Sequence, residues 1–177
     1  MAEPVAPQPD DKDWTWATER VCDECGFDPT SVDRQDLSRA IEATTARWTE
    51  VLARPDAGSR PAPAVWSALE YGCHVRDVHS TFAGRVRSML ALDNPRFANW
   101  DQDATAVAER YWEQDPPTVA RELAAAAQDA GAAFEDASDD ASWDRPGTRS
   151  NGSVFTVESI GRYYLHDVVH HLHDVRG

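Results

Sequence analysis

Lysine is nearly missing from this chain of 177 residues, with Lys12 its one representative, and its arginines are scattered among almost twice as many carboxylates. The formal net charge is −14. Nucleic-acid binding draws most of its affinity from cations set against phosphates. The balance therefore argues against DNA or RNA as a partner and against an anionic membrane surface, and otherwise speaks only for solubility. Long apolar runs are missing too: no segment approaches the roughly 20 residues needed for a membrane span. Met1 to Asp13 is rich in proline and acid and lacks the apolar centre of a signal peptide. It reads as a disordered lead-in, and the protein as cytoplasmic. Cysteine is scarce. Cys22, Cys25 and Cys73 are too few for a disulfide framework and are expected to be reduced in a cytoplasmic protein. Neither an internal repeat nor an alternating segment of strand length is present.

What the chain does contain is helical periodicity, with enough apolar residues to bury one domain core. The first helix is expected from about Asp33 to Arg54, with Leu37, Ile41, Thr44, Trp48, Val51 and Leu52 on one face and Pro55 and Gly58 as its end. The second runs from about Ser67 to Leu92, burying Trp66, Leu69, Cys73, Val78, Phe82, Val86, Met89 and Leu90 and stopping at Asn94-Pro95. A polar stretch from Arg96 to Asp103 leads to a shorter helical segment before Pro116-Pro117. The third long helix is expected from Thr118 to about Ala137, its alanines suited to close packing. Ser138 to Gly152 reads as a loop, with Trp143 folded back on the bundle. The fourth helix starts near Thr156, a capping residue, and runs almost to the C-terminus. Together these predict an all-α four-helix bundle over residues 31–177. Residues 1–30 form a flexible or partly ordered extension.

Four of the six histidines crowd the last helix: His166, His170, His171 and His173. At about 100° per residue, His166 and His170 lie on one face a turn apart, as two imidazoles must to reach one ion. His171 points about 100° away from His170 and does not join that pair, although its crowding with His173 allows an alternative ligand set. His173 could pair with His170 as an alternative ligand, but it stands where the helix frays. A third ligand must come from another helix. His74 shares a polar stripe with Glu70 and Asp77, which a buried metal and supporting carboxylates would satisfy. His79, near Arg76 and Ser80, reads as a surface residue. Spacing alone leaves open a competing reading, a solvated tail favoured by the helix dipole.

Cys22 and Cys25 form a CxxC pair, half of a tetrahedral zinc site, with no second CxxC or CxxH to complete it. A passive structural role is expected, with a second metal or a redox pair as the alternative. Asp101 and Asp103 are expected to cap the helix that follows them, and Asp167 to make a helix-surface contact. Arg76, Arg149 and Arg162 read as solvated, with anion binding as the alternative.

Three motifs stand in order along the chain: Trp66-Ser67-Ala68-Leu69-Glu70 with His74, then Asn94-Pro95-x-Phe97-x-x-Trp100-Asp101-x-Asp103, then His166-Asp167-x-x-His170-His171. With them the chain from about Ser31 onward resembles the DinB-like (DNA-damage-inducible) metalloprotein superfamily. The resemblance implies a four-helix bundle and a three-histidine metal site, one ligand from the second helix and two from an HxxxH pair on the last. These map onto His74, His166 and His170. The superfamily includes S-transferases and isomerases that use bacillithiol or mycothiol, besides members with no assigned activity. The excess of Arg over Lys and the abundance of Ala match a GC-rich genome and so mycothiol. Three neutral imidazoles on a zinc- or nickel-like ion leave a position open for a thiol, whose pKa the cation lowers. The expected function is thus a metal-dependent thiol S-transferase or related enzyme, with a small thiol and an electrophile as partners. The alternative is a non-catalytic metal-binding bundle serving in stress response or interaction. Spare apolar surface would suit a homodimer.

Overall fold

The computed structural model describes residues 4–7 and 12–177. Of the expected disordered lead-in, residues 1–3 and 8–11 lie outside the described residues. The elements run α1 (Leu37–Leu52), α2 (Ala68–Ala91), β1 (Arg96–Phe97), α3 (Gln102–Ala108), α4 (Pro116–Glu135), α5 (Asp140–Trp143), β2 (Pro146–Arg149), β3 (Val154–Thr156) and α6 (Val157–Asp174). Single 3-10 turns occupy Thr15–Thr18, Arg34–Asp36 and Tyr111–Glu113.

The four long helices form a four-helix bundle, as expected. α4 lies along both α1 and α2, and α6 packs on the same two helices. The core is drawn from the predicted stripes: Leu37, Ile41 and Trp48 of α1, Val78, Phe82 and Val86 of α2, Leu123 and Phe134 of α4, and Ile160, Tyr164 and Val168 of α6. Each such side chain contributes roughly 1.5–3 kcal/mol when fully buried. Thr45, not the predicted Thr44, faces inward, and its hydroxyl lies 3.3 Å from His79 Nε2. His79 itself is fully buried rather than on the surface, with its other ring nitrogen hydrogen-bonded to the Tyr164 hydroxyl. Both partners come from other helices, so its sequence neighbours gave no sign of them.

Helix starts follow their caps. Ser67 and Glu70 form a reciprocal capping box on α2, Ser67 Oγ accepting from Glu70 N at 3.2 Å and Glu70 accepting from Ser67 N at 2.9 Å. α4 begins at Pro116, two residues before the predicted Thr118, because Asp115 accepts the Thr118 N–H at 3.0 Å and proline needs no N–H in the first turn. Thr156 caps α6 through Ser159 N at 3.1 Å.

Three short strands depart from the all-helical expectation. β1 pairs parallel with β2, and β2 antiparallel with β3. Strands of two to four residues are too short to leave a period in the sequence. A Cβ on Gly147 would stand 2.5 Å from Phe97 Cζ and 2.8 Å from Met89 Cγ, so a larger residue there would have to displace both side chains. The predicted loop also holds α5, whose Trp143 is buried and stacks on Phe134 at 6.4 Å. Arg145 donates to the Leu92 carbonyl at 2.6 Å, satisfying the end of α2.

The N-terminal extension docks on the bundle. Its first 3-10 turn packs on α6, and Ala17, Cys22 and Phe27 are buried. Among the described residues no helix is long and apolar enough to cross a membrane.

Candidate metal centre

One end of the bundle opens into a cleft of about 600 Å³, walled by Trp14 of the extension, Trp66, Trp100 and the inner face of α6. The three sequence-predicted ligands all reach this end, but among the described residues they do not share one cluster. His74 groups with Asp167 and His171. His166 and His170 group instead with Cys22 and Cys25. The reason is helical geometry. Asp167 and His171 are themselves an i, i+4 pair, set about 100° around α6 from His166 and His170. That turn directs the first pair at α2 and the second at the extension.

His74 is fully buried on α2, and among the described residues neither of its ring nitrogens has a hydrogen-bond partner. Its Nε2 lies 3.8 Å from Asp167 Oδ2, and its ring meets that of His171 edge-on at 4.8 Å. Trp100 stacks on the other side, nearly parallel, at 5.4 Å. His171 is oriented from behind, with Nδ1 2.9 Å from Asp174 Oδ2 and Nε2 3.7 Å from Asp167. A ligand imidazole held in this way donates one N–H to a carboxylate and turns the other nitrogen to the ion. Burial holds His74 well below the ordinary histidine range, and the His171 charge adds to the effect. A neutral ring is the form that binds metal. Two imidazoles and a carboxylate are a suitable donor set for a zinc- or nickel-like cation, and three protein ligands leave a position for a small molecule.

The expected supporting carboxylates are turned elsewhere. Glu70 accepts from Arg60 Nε at 2.9 Å as well as from Ser67, and Asp77 takes Arg76 Nε at 2.8 Å and the Tyr111 hydroxyl. Both sit where helix capping or an arginine claims them first. Asp101 caps α3, accepting Ala104 N at 2.9 Å, as expected. Asp103 lines the cleft, its carboxyl raised by burial and by the Asp101 charge. Arg149 also lines it, 3.4 Å from the Tyr163 hydroxyl, while Arg76 and Arg162 are held in ion pairs with Glu122 and Glu158. His173, the alternative ligand, has its ring tilted against that of His170 at 6.1 Å and belongs to neither group. Burial pushes the Cys73 thiol up to about 12, which removes it as a nucleophile at neutral pH. The sequence reading gives Asp167 a helix-surface contact and keeps His171 only in an alternative ligand set, whereas here both stand beside His74. The signal for them is local: His-Asp-x-x-His-His contains two interleaved i, i+4 pairs, His166 with His170 and Asp167 with His171.

Comparison with known proteins gives the fold a context. A solved structure of YfiT from Bacillus subtilis, described as a probable metal-dependent hydrolase with an unusual four-helix bundle topology, superposes with a TM-score of 0.69. It is 18% identical, and the match covers 79% of this chain and 82% of that one. Among curated proteins none matches the sequence. The model of the DinB superfamily matches residues 36–175, most of the chain and all four long helices, and this protein belongs to that superfamily.

Proposed function

We propose that this protein is a metal-dependent enzyme that transfers a low-molecular-weight thiol, of the mycothiol type, to an electrophilic carbon, with the metal held by His74, Asp167 and His171. The observation that carries the reading is His74: a fully buried imidazole, both nitrogens lacking hydrogen-bond partners among the described residues, facing a carboxylate and a second imidazole. Burying such a ring unsatisfied is unfavourable by roughly 1–3 kcal/mol, and a cation removes that penalty. Bound there, a divalent ion would supply the Lewis acidity that keeps a thiol as thiolate at neutral pH. Trp66 and Trp100 give flat apolar walls, and Asn99, Gln102 and Asp103 offer polar partners for a hydroxyl-rich thiol. In the transfer, sulfur forms the new S–C bond, the leaving group departs with its electron pair, and the thiol proton passes to solvent. The solved relative's description favours a second reading, in which the same centre activates water for hydrolysis.

The test combines metal analysis with turnover. The protein, purified without chelator, should conjugate monochlorobimane with mycothiol, and His74→Ala or His171→Ala should lose one equivalent of metal and the activity together. Undiminished metal in both variants would remove the site. No turnover with mycothiol, bacillithiol or glutathione would overturn the thiol reading, and ester or amide hydrolysis by the same protein would establish the second.

A further inference from the structure

We infer that Cys22, Cys25, His166 and His170 form a second and purely structural metal site, a tetrahedral zinc centre that fastens the N-terminal extension to α6. One ligand atom of each residue lies within 4.8 Å of those of the other three. Zinc bonds of about 2.3 Å to sulfur and 2.0–2.1 Å to nitrogen set the edges of a tetrahedron at about 3.3–3.8 Å. Cys22 Sγ and His170 Nδ1 are 3.8 Å apart, already on that scale.

Three of the four ligands are buried, Cys25 is half-buried, and His166 and His170 also border the cleft. Cys22, His166 and His170 are 1%, 3% and 8% exposed, and His166 Nε2 has no hydrogen-bond partner among the described residues. His170 turns Nδ1 toward the sulfur and Nε2 toward Glu24 and Asp174, at 3.7 and 3.8 Å. Carboxylates behind a ligand imidazole fix its tautomer and raise its basicity. The two thiols are brought together by a tight turn. Gly26 N donates to the Cys22 carbonyl at 2.8 Å, and Cys22 N to the Phe27 carbonyl at 2.9 Å. Gly26 has φ +75°, a conformation that suits glycine. Trp14 covers both histidines at 5.3 and 4.8 Å, and Phe27 packs on His166 at 5.7 Å. Four protein ligands complete the coordination of zinc, so this site holds structure and performs no chemistry. A CxxC redox pair would account for the cysteines but leaves the convergence of two buried histidines on them without a cause.

The site is independent of the cleft centre and is tested separately from it. The full chain, purified without chelator, should contain one equivalent of zinc that survives His74→Ala and is lost in Cys22→Ser/Cys25→Ser. Cobalt substitution should give thiolate-to-cobalt charge-transfer absorption and intense tetrahedral ligand-field bands. Both should persist in His74→Ala and vanish in the double variant. Cys25→His, which keeps four ligands, should retain the zinc with a weaker charge-transfer band. Tryptic cleavage after Arg20 should accelerate at least tenfold in the double variant. Undiminished zinc in the double variant, cobalt protein without thiolate absorption, or a Cys22–Cys25 disulfide in protein handled anaerobically would each overturn the inference.

Discussion

Replacing Gly161 by alanine separates two opposing effects on the helix that carries the candidate metal ligands. A Cβ at this position of α6 would stand 2.7 Å from Leu37 Cδ1 and 3.0 Å from Phe134 Cε1. Leu37 and Phe134 are each 1% exposed, so neither has open space to turn into. Overpacking of this kind destabilises by about 1–3 kcal/mol. Against it stands the helix propensity of alanine over glycine, worth about 1 kcal/mol. Gly84 in α2 isolates the second effect, being exposed with nothing within 4 Å of an added Cβ. Gly84→Ala should therefore stabilise by about 1 kcal/mol. The two variants should differ by the packing penalty alone, about 1–3 kcal/mol, or about 2–4 °C in Tm for each kcal/mol in a chain of this size. Urea unfolding at matched metal content, with unchanged m-values, measures the difference directly. Gly161→Ala should also weaken metal binding, since α6 must shift to admit the methyl group. If it proved as stable as Gly84→Ala, the close junction of α1, α4 and α6 would be refuted.

His79 makes stability depend on pH. Burial lowers its pKa from 6.5 to about 3, so below 6.5 the unfolded chain takes up a proton that the folded chain refuses. Its contribution is complete above pH 6.5 and is lost between there and pH 3, by up to about 1.4 kcal/mol per pH unit. The stability gap between wild type and His79→Gln should narrow from pH 7 to pH 5, and a constant gap would refute the assignment. Arg60→Met should destabilise by about 3–5 kcal/mol by stranding the Glu70 carboxylate, whose side chain is 1% exposed. In denaturant titrations Arg60→Met/Glu70→Gln should recover part of that loss, and no recovery would argue against the pair. Chelation should lower the Tm, because an ion bound only to the folded chain adds RT ln(1 + [L]/Kd). An unchanged Tm would count against both centres.

Much of the bundle was legible because burial on a helix face leaves a period, and Ile41, Trp48, Phe82, Val86, Tyr164 and Val168 keep it without interruption. The sheet was not, since Arg96–Phe97 and its partners are held by backbone pairing between distant segments. The site was half legible. His74 is set apart from His79 on the same helix by the polar stripe it shares with Glu70 and Asp77, and the crowding on α6 marks the second element. Which α6 residues face α2 is decided by the rotation of that helix in the bundle, and no local pattern encodes it. Cys22 and Cys25 lacked a visible counterpart for the same reason, their histidines lying far along the chain.

Lys12, Trp14 and Glu24 line the cleft from outside the span that matches the superfamily, which starts at residue 36. A fragment trimmed to that boundary would retain every helix of the bundle while losing one wall of its cavity. It would also bare the α6 surface on which the extension packs. Expression boundaries for this protein are therefore better chosen by what touches α6 than by where the shared domain begins.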